Sequence, residues 1–402
     1  MKRTNLDSWI EEIEGIGSLN REKLEALQLE KLGELLKKEK ERNGFYGKLP
    51  YALSSLDELS SLPFTTADDI AKQGSAMLLV SQSEVQSVIS DRTSGTGGKV
   101  KRIFFSEEDL NKTVGLFRAG ISEMSEAGEK ILVAMPFSGP FGLGNLIAKA
   151  IESFGAEPIA PGDAVSFYDF SELVKRERPD AIIGLPVFTL SLLRILGGES
   201  PIKKALISAD ACPESVQNDL EKRLCGRVFP HYGSRECGLG GAISCMAHEG
   251  MHLRENHIIA EIIDSEGNVL PRGERGELVI STIGHSAMPL IRYKTGDITK
   301  IFAEPCPCGG VSLRLGNVIR NDPAAKLIYA LDNALFSVPN LIDYSLQKSG
   351  EGYLIRATAK TDCKEELRVQ ARRILGKNKF EIELSFLNKE SEPSYKAKRT
   401  VI

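Results

Sequence analysis

The chain has 402 residues, of which 42% are hydrophobic and 26% charged, so we expect one large globular domain and a smaller one. Its formal net charge of −4 gives no reason to expect nucleic acid or an anionic membrane as a partner. No apolar run approaches the roughly 20 residues of a membrane span, and the first residues lack the apolar core of a secretory signal. Seven cysteines, an odd number, argue against a disulfide framework, so we predict a cytoplasmic protein.

The first predicted element is an amphipathic surface helix from Leu27 to Lys40, where apolar residues recur at three- and four-residue spacing. Between residues 130 and 184, strand-like runs such as ILVAMPF and AIIGLPV alternate with helical stretches, which is typical of a parallel sheet with crossover helices. Residues 258–301 carry β-rich runs separated by the predicted turns SEGN, PRGERG and KTGD, which favours an antiparallel or barrel-like subdomain. The C-terminal part contains a predicted strand, helix and strand (YLIRATAK, KEELRVQARRIL and EIELSFL).

The most informative short segment is TSGTGGKVK, residues 93–101. Glycines let backbone amides turn towards a polyphosphate, hydroxyl groups add donors, and lysines supply positive charge. The spacing differs from the Walker pattern GxxxxGK[ST]. The chemistry of the residues alone leaves two interpretations open, a phosphate-binding loop and a solvated glycine turn.

This segment resembles TSGTTGxPK, the phosphate-binding loop of the adenylate-forming superfamily of acyl-CoA synthetases, adenylation domains and luciferases. Gly97 replaces the second threonine and Val100 replaces the proline, and without that hydroxyl donor turnover could be lower than in a typical member. The matching positions are Thr93, Ser94, Gly95, Thr96, Gly98 and Lys101.

The segment HYGSRECG, residues 231–238, resembles the family motif YGSTE. In that motif the aromatic ring lies against adenine and the glutamate binds magnesium, which implies these roles for Tyr232 and Glu236. Carboxylate oxygen is a ligand that Mg²⁺ prefers. Gly233 and Ser234 match the motif, whereas Arg235 replaces its threonine. Taken alone, the string also fits an ordinary strand-to-loop turn.

A third segment, RYKTGD at residues 292–297, resembles RYRTGD and follows the other two motifs in the family's order. The resemblance implies that Asp297 accepts hydrogen bonds from the ribose hydroxyls, as a carboxylate can. A turn joining two strands is the alternative. Residues 208–210 (Ser-Ala-Asp) occupy the place where related chains present a small-residue turn to the adenine edge.

Cys306-Pro-Cys308 is a tight pair of thiols, and Cys245 and His252 precede it by some sixty residues. Thiolates with an imidazole suit tetrahedral zinc, and buried reduced thiols are the alternative. Phenylacetate-CoA ligases and coenzyme F390 synthetases carry similar elements. By this resemblance Cys245, His252, Cys306 and Cys308 hold a structural zinc ion, with His248 as a rival for the imidazole position.

The C-terminal sequence SEPSYKAKRTVI resembles the family's terminal GKAKR segment, although Tyr395 replaces the glycine. The resemblance implies that Lys396 approaches the carboxylate and the α-phosphate during adenylation, where a cation offsets growing charge. A frayed basic tail is the alternative. The hinge before this region departs from the family pattern, so Arg314 or Arg320 is the candidate ribose-contacting arginine and Asp322 the candidate hinge.

The resemblance implies an α/β fold with a large multi-layer N-terminal adenylation domain, including a β-rich subdomain, over residues 1–316. A small, mobile α+β domain is expected over residues 317–402. A homodimer is expected only by analogy.

The implied reaction is the activation of a carboxylic acid by ATP and Mg²⁺ to acyl-AMP, followed by transfer to CoA. An aryl or arylacetic acid is the default substrate, bound partly by residues 135–145 and 184–190. Two alternatives stay open: adenylation with a non-CoA acceptor, as in F390 synthetases, and a non-catalytic nucleotide-binding regulator on the same fold.

Overall fold

The computed structural model describes residues 2–92, 100–392 and 401 of the chain. The α-helices of this part are α1 (Asn5–Glu14), α2 (Arg21–Arg42), α3 (Ala67–Gln73), α4 (Glu107–Met124), α5 (Leu143–Glu152), α6 (Phe167–Glu177), α7 (Pro186–Leu196), α8 (Glu214–Arg223), α9 (Pro323–Leu335) and α10 (Lys364–Leu375). Short 3₁₀ turns lie at Leu56–Ser61, Gly74–Met77, Gln82–Glu84 and Gly197–Glu199. None of the described helices is both long and apolar enough to cross a membrane.

The strands alternate with these helices, so the chain is mixed α/β with several sheets, and the predicted fold class is confirmed. They are β1 (Val85–Arg92), β2 (Val100–Ser106), β3 (Lys130–Val133), β4 (Glu157–Ile159), β5 (Ala181–Gly184), β6 (Lys204–Ile207), β7 (Val228–Tyr232), β8 (Ala242–Ile243), β9 (Met251–Leu253), β10 (Ile259–Ile263), β11 (Arg275–Ser281), β12 (Tyr293–Lys300), β13 (Arg314–Leu315), β14 (Ile319–Arg320), β15 (Leu341–Ser349), β16 (Gly352–Ala359) and β17 (Lys379–Phe386).

The chain divides into two compact units. Unit 1 comprises Met1–Glu123 and His231–Val318, and unit 2 comprises Met124–Pro230 and Ile319–Ile402. The predicted domain division after residue 316 lies close to the point where the chain passes from unit 1 to unit 2 for the second time. Unit 2, however, combines the C-terminal part with residues 124–230. A separate, mobile domain over residues 317–402 stays a prediction.

Unit 2 is built on the predicted parallel sheet. Strand β5 pairs in parallel with β3 and β6, β3 pairs with β4, and β6 pairs with the first residues of β7. Every residue of β5 is buried, which agrees with the continuous apolar runs typical of parallel strands. The predicted strand AIIGLPV ends early, at Gly184, because Pro186 begins helix α7, a position at which proline is favoured.

The C-terminal part of unit 2 forms a smaller sheet. Strand β15 pairs antiparallel with β16, and β16 pairs in parallel with β17 after the crossover through α10. Asp322 caps the N-terminus of helix α9, and its carboxylate accepts hydrogen bonds from two backbone amides of the first turn. A strand, a helix and a strand therefore lie where the sequence predicts them.

Unit 1 contains the antiparallel β-rich region that the sequence predicts over residues 258–301. Strands β10, β11 and β12 pair antiparallel in that order. The expectation of a turn at KTGD is wrong, because this segment lies inside β12. There Lys294 pairs with Val279 and Ile298 pairs with Glu277, and Gly296 between them has φ 72°, so the glycine forms a bulge and not a chain reversal.

A buried arginine holds the two chain segments of unit 2 together. The Arg194 guanidinium, on α7, donates to the backbone carbonyls of Phe336 at 2.6 Å, Val338 at 3.0 Å and Leu341 at 2.6 Å, and to Asp219 Oδ2 at 2.9 Å. Its side chain is 2% exposed. Burial lowers the pKa of Arg194, although Asp219 opposes this effect.

We expect Arg194→Met to destabilise the protein by about 3–5 kcal/mol, because three buried carbonyls lose their donor and the Asp219 carboxylate loses one of its two arginine partners. Arg223→Met is the matched control. Arg223 also bonds to Asp219, at 2.9 Å, but its side chain is 30% exposed, so its loss should cost below about 1 kcal/mol. Urea unfolding followed by circular dichroism measures both; equal losses would contradict the assigned role of Arg194.

Candidate active site and metal centre

The predicted phosphate loop connects two paired strands. Strands β1 and β2 form an antiparallel hairpin in which Asp91 pairs with Lys101 and Arg92 with Val100. The connecting residues 93–99, which include the candidate positions Thr93, Ser94, Gly95, Thr96 and Gly98, lie outside the described residues. Lys101, at the second position of β2, is described.

Lys101 and Glu236, which are 135 residues apart in sequence, form a buried ion pair through Lys101 Nζ and Glu236 Oε1. The hydroxyl of Tyr293 lies 3.2 Å from the same carboxylate oxygen and 3.4 Å from the ammonium. The side chains of Lys101 and Glu236 are 11% and 8% exposed. The structure thus brings the two predicted charged residues together and adds a phenol to them.

This surrounding fixes the charge of Glu236. Burial by itself would raise the pKa of the Glu236 carboxyl, but the Lys101 ammonium and hydrogen bonds lower it below its usual value. The carboxylate is therefore ionised at neutral pH, which is the state that a hard divalent cation requires. An ammonium beside an anionic oxygen suits a polyphosphate with its metal ion, because the ammonium can bind phosphate oxygens and the carboxylate can bind the metal.

Tyr232 and Asp297 form a second pair. The Tyr232 hydroxyl, at the end of β7, donates to Asp297 Oδ2 at 2.9 Å, and both side chains are buried. Asp297 follows Gly296 in the bulge of β12, and its amide donates to Thr295 Oγ1 at 3.1 Å. Burial and the neighbouring Asp297 carboxylate raise the pKa of Tyr232, so the phenol stays a donor.

The loop between these pairs depends on close backbone contacts. A Cβ at Gly233 would lie 2.2 Å from the carbonyl oxygen of Leu239, so no other residue fits there without a shift of backbone. The Leu239 amide donates to the carbonyl of Ser234 at 2.8 Å, and the Ser234 amide lies 3.0 Å from Cys237 Sγ. These contacts hold the chain between Tyr232 and Glu236 in a compact turn.

The four predicted zinc ligands meet in unit 1. Cys245 follows β8, His252 lies on β9, and Cys306 and Cys308 lie in the loop between β12 and β13. All four are buried, and their candidate ligand atoms lie within 4.8 Å of one another. His248, the rival imidazole, is exposed and does not belong to this group.

The distances in this cluster suit a tetrahedral ion. Zn–S bonds of about 2.3 Å place two thiolate sulfurs about 3.8 Å apart in a tetrahedron. Cys245 Sγ and Cys306 Sγ are 3.7 Å apart, and Cys308 Sγ lies 3.5 Å from His252 Nε2. The donor set therefore fits zinc.

The remaining candidates lie in different surroundings. Arg314 is buried and donates to the carbonyls of Glu249 at 2.5 Å and of Glu304 at 2.7 Å, in the segments that carry the cysteine and histidine ligands. Arg320 is exposed and belongs to unit 2. Residues 208–210 also belong to unit 2. Lys396 lies outside the described residues.

Sequence reasoning did not single out Tyr293. Its hydroxyl contacts both Lys101 and Glu236, and the side chain is 2% exposed. Its position as the second residue of the RYKTGD segment is the signal that the sequence offers for it.

Known proteins resemble this chain over most of its length. The phenylacetate-coenzyme A ligase of Thermus thermophilus is 26% identical over 373 residues, which cover 87% of this chain and 83% of that protein. The phenylacetate-coenzyme A ligase of Aromatoleum evansii is 26% identical over 388 residues, covering 89% and 86%. A crystal structure of 2-hydroxyisobutyryl-CoA ligase in the postadenylation state superposes with a TM-score of 0.75 at 18% identity, covering 96% of this chain and 90% of that one.

At 18% identity, the likeness to this crystal structure shows the fold alone. The family is shown by a separate match. The model of the AMP-binding enzyme family matches residues 80–289, just over half of the chain. That range includes both Lys101 and Glu236, which form the buried ion pair. The chain belongs to the AMP-binding enzyme family.

Proposed function

We propose that this protein is an AMP-forming acyl-CoA ligase, which activates a carboxylic acid with ATP as acyl-AMP and then transfers the acyl group to CoA. The observation that carries the proposal is the buried Lys101–Glu236–Tyr293 cluster, within a chain that belongs to the AMP-binding family. Two relatives named phenylacetate-coenzyme A ligase support the acceptor and an aryl or arylacetic acid as substrate.

Lys101 and Glu236 would bind the triphosphate and its cation. Glu236, kept ionised, supplies a carboxylate oxygen for Mg²⁺, which neutralises phosphate charge when bound. Lys101 places an ammonium beside that oxygen, so phosphate oxygens bound there meet a fixed positive charge. Tyr293 donates to Glu236 and limits the positions its carboxylate can take. The phosphate loop at residues 93–98 would contribute amide and hydroxyl donors.

Tyr232 and Asp297 would bind the nucleoside. Asp297 offers carboxylate oxygens to the ribose hydroxyls, and the hydrogen bond from Tyr232 fixes the orientation of that carboxylate. The same bond fixes the plane of the Tyr232 ring, which we assign to the adenine. Arg314 and Arg320 both stay candidates for the arginine that contacts the ribose, and Arg314 is buried and donates to loop carbonyls.

The reaction takes place in two steps. A carboxylate oxygen of the acid attacks the α-phosphorus, and the bond to the β-phosphate oxygen breaks, which releases pyrophosphate. The CoA thiol then loses its proton to water, its sulfur attacks the acyl carbon, and the bond from that carbon to the phosphate oxygen breaks, which releases AMP. Activation is needed because carboxylate oxygen is a poor leaving group and AMP is a good one.

Cys245, His252, Cys306 and Cys308 would hold one zinc ion. The set is closed, with four protein ligands, so it would be structural and would leave no coordination position for substrate. The acid-binding segments at residues 135–145 and 184–190, the cytoplasmic location and the homodimer remain proposals from the sequence.

The decisive experiment is ATP–pyrophosphate exchange with a panel of aliphatic, aryl and arylacetic acids, followed by measurement of thioester with CoA. Acid-dependent exchange and acid-dependent loss of CoA thiol are the expected results. Exchange without thioester formation would favour another acceptor. Binding of ATP with no exchange for any acid would favour a non-catalytic nucleotide-binding protein.

We expect Glu236→Gln to lower magnesium-dependent exchange by at least about 10²-fold with the fold intact, because one charged ligand oxygen is lost. Raising the magnesium concentration should restore part of the rate. Glu266→Gln, on an exposed turn of unit 1, removes a carboxylate of the same type and should act like wild type. Exchange near the wild-type rate in Glu236→Gln would refute this assignment.

We expect one zinc ion per chain in protein purified without added zinc, measured by elemental analysis. The double variant Cys306→Ser and Cys308→Ser should lose the metal and melt at a lower temperature, since binding of a structural metal is coupled to folding. Cys225→Ser, at an exposed free cysteine, is the control and should keep both. Unchanged zinc content in the double variant would rule out the site.

We propose that Lys396, in the C-terminal part of the chain, acts at the α-phosphate during adenylation. Lys396→Ala should then slow acyl-AMP formation by about 10²–10³-fold, the effect of losing one electrostatic donor. Given preformed acyl-AMP and CoA, the same variant should still form thioester. Lys398→Ala is the control and should be close to wild type. Equal losses in both variants, or loss of the second step alone, would show that Lys396 does not have this role.

A further inference from the structure

A row of hydrogen bonds connects helix α1 to the candidate zinc ligand His252. The ring nitrogen Nδ1 of His252 lies 2.9 Å from Ser312 Oγ and 3.1 Å from the Ser312 carbonyl oxygen. Ser312 Oγ donates to Asp7 Oδ1 at 2.6 Å. Asp7 lies in the first turn of α1, 305 residues before Ser312, and all three side chains are buried.

The chemistry of the partners fixes the direction of each bond. The Asp7 carboxylate can only accept, so the Ser312 hydroxyl gives its single proton to it. The Ser312 carbonyl can also only accept, so His252 Nδ1 must carry a proton. The row therefore holds the imidazole with Nε2 turned towards the thiols, 3.5 Å from Cys308 Sγ. That nitrogen is the one available as a metal ligand.

Asp7 also holds the backbone on which this arrangement depends. Its Oδ2 accepts a hydrogen bond from the Val311 amide at 2.5 Å, and Arg3 Nε lies 3.3 Å from the same oxygen and supplies a compensating charge. The start of α1 lies against the cluster as well, because a Cβ at Gly310 would lie 2.8 Å from His252 Cε1 and 2.9 Å from Thr4 Cγ2. The N-terminal end of helix α1 and the ligand loop, residues 301–313 between β12 and β13, share these contacts.

We propose that Asp7 is a positioning residue for the metal site, acting through Ser312 on His252, and that metal binding and the docking of α1 strengthen each other. The inference rests on the proposed zinc ion. Partners of a metal-bound imidazole fix its tautomer and orientation, and their loss typically lowers metal affinity by about 10–100-fold. Coupling between two binding events is reciprocal, so the metal must stabilise the docked helix by the same factor.

The first test measures zinc affinity by competition with a chromogenic chelator. Asp7→Asn should bind zinc about 10–100-fold more weakly than wild type. Ser312→Ala should also weaken binding, and the two losses should not multiply in the double variant, because both act through the same bonds. Glu11→Gln is the control, because Glu11 lies on the same helix as Asp7 and also pairs with Arg3, but its hydrogen-bond partners in the described part of the chain do not belong to the ligand loop. The zinc affinity of this variant should stay within about twofold of wild type.

Loading with Co²⁺ provides a spectroscopic signature that a general loss of stability would not produce. In Asp7→Asn the ligand-field bands should shift because the imidazole is reoriented, and the thiolate charge-transfer bands should stay because three cysteines remain. Wild-type zinc affinity and an unchanged cobalt spectrum in Asp7→Asn would overturn the proposal.

The second test needs no variant. Removing zinc from the wild-type chain should increase amide hydrogen exchange in residues 5–14 of α1 by about 10-fold or more, and by far less in α10, which belongs to unit 2. Equal change in the two helices, or none in α1, would refute the coupling. Absence of zinc from wild-type protein would refute the zinc site itself. This outcome differs from one in which zinc binds and Asp7→Asn leaves its affinity unchanged, which would refute only the role of Asp7.

Discussion

Strand β12 holds both ends of the loop formed by residues 232–236. Tyr293, its first residue, bonds to Glu236, and Asp297 accepts a hydrogen bond from Tyr232. Between these two anchors the bulge at Gly296 interrupts the register, and a bulge changes the direction of the side chain that follows it. The position of Lys101 depends on the same strand, because its partner Glu236 is held by it. A regular β12 would change the direction of Asp297 relative to the loop.

This geometry shows which parts of the fold a sequence can predict. Continuous apolar runs and helical periodicity are local, so the parallel strands near residues 130–184 and the C-terminal strand, helix and strand could be placed in advance. Two local signals were misread. KTGD has the composition of a turn, but a glycine with positive φ is equally favourable in a β-bulge. AIIGLPV has the composition of one strand, but its proline begins a helix.

The candidate site also contains residues that the sequence predicts and partners that only the fold reveals. Motifs in a fixed order predicted Lys101, Glu236 and the candidate zinc ligands, and the structure brings Lys101 to Glu236 and the four candidate ligands to one another. Tyr293 and Asp7 were not predicted as partners. A phenol inside a strand and an acidic residue in the first turn of a helix are ordinary in sequence, and only the fold brings Asp7 to Ser312 across 305 residues.

The ion pair between Lys101 and Glu236 is better explained by ligand exchange than by stability. A buried pair contributes little net stability, since desolvation offsets much of the attraction, whereas a single uncompensated charge in the same place is strongly unfavourable. In the function that we propose, the triphosphate brings anionic oxygens and its divalent cation brings positive charge. Glu236 would then exchange the ammonium for the cation, and Lys101 would exchange the carboxylate for phosphate oxygen, so neither residue would be left buried and unpaired. The pair keeps both charged side chains in place in a site with little access to water, and the hydrogen bond from Tyr293 would hold the carboxylate during this proposed exchange.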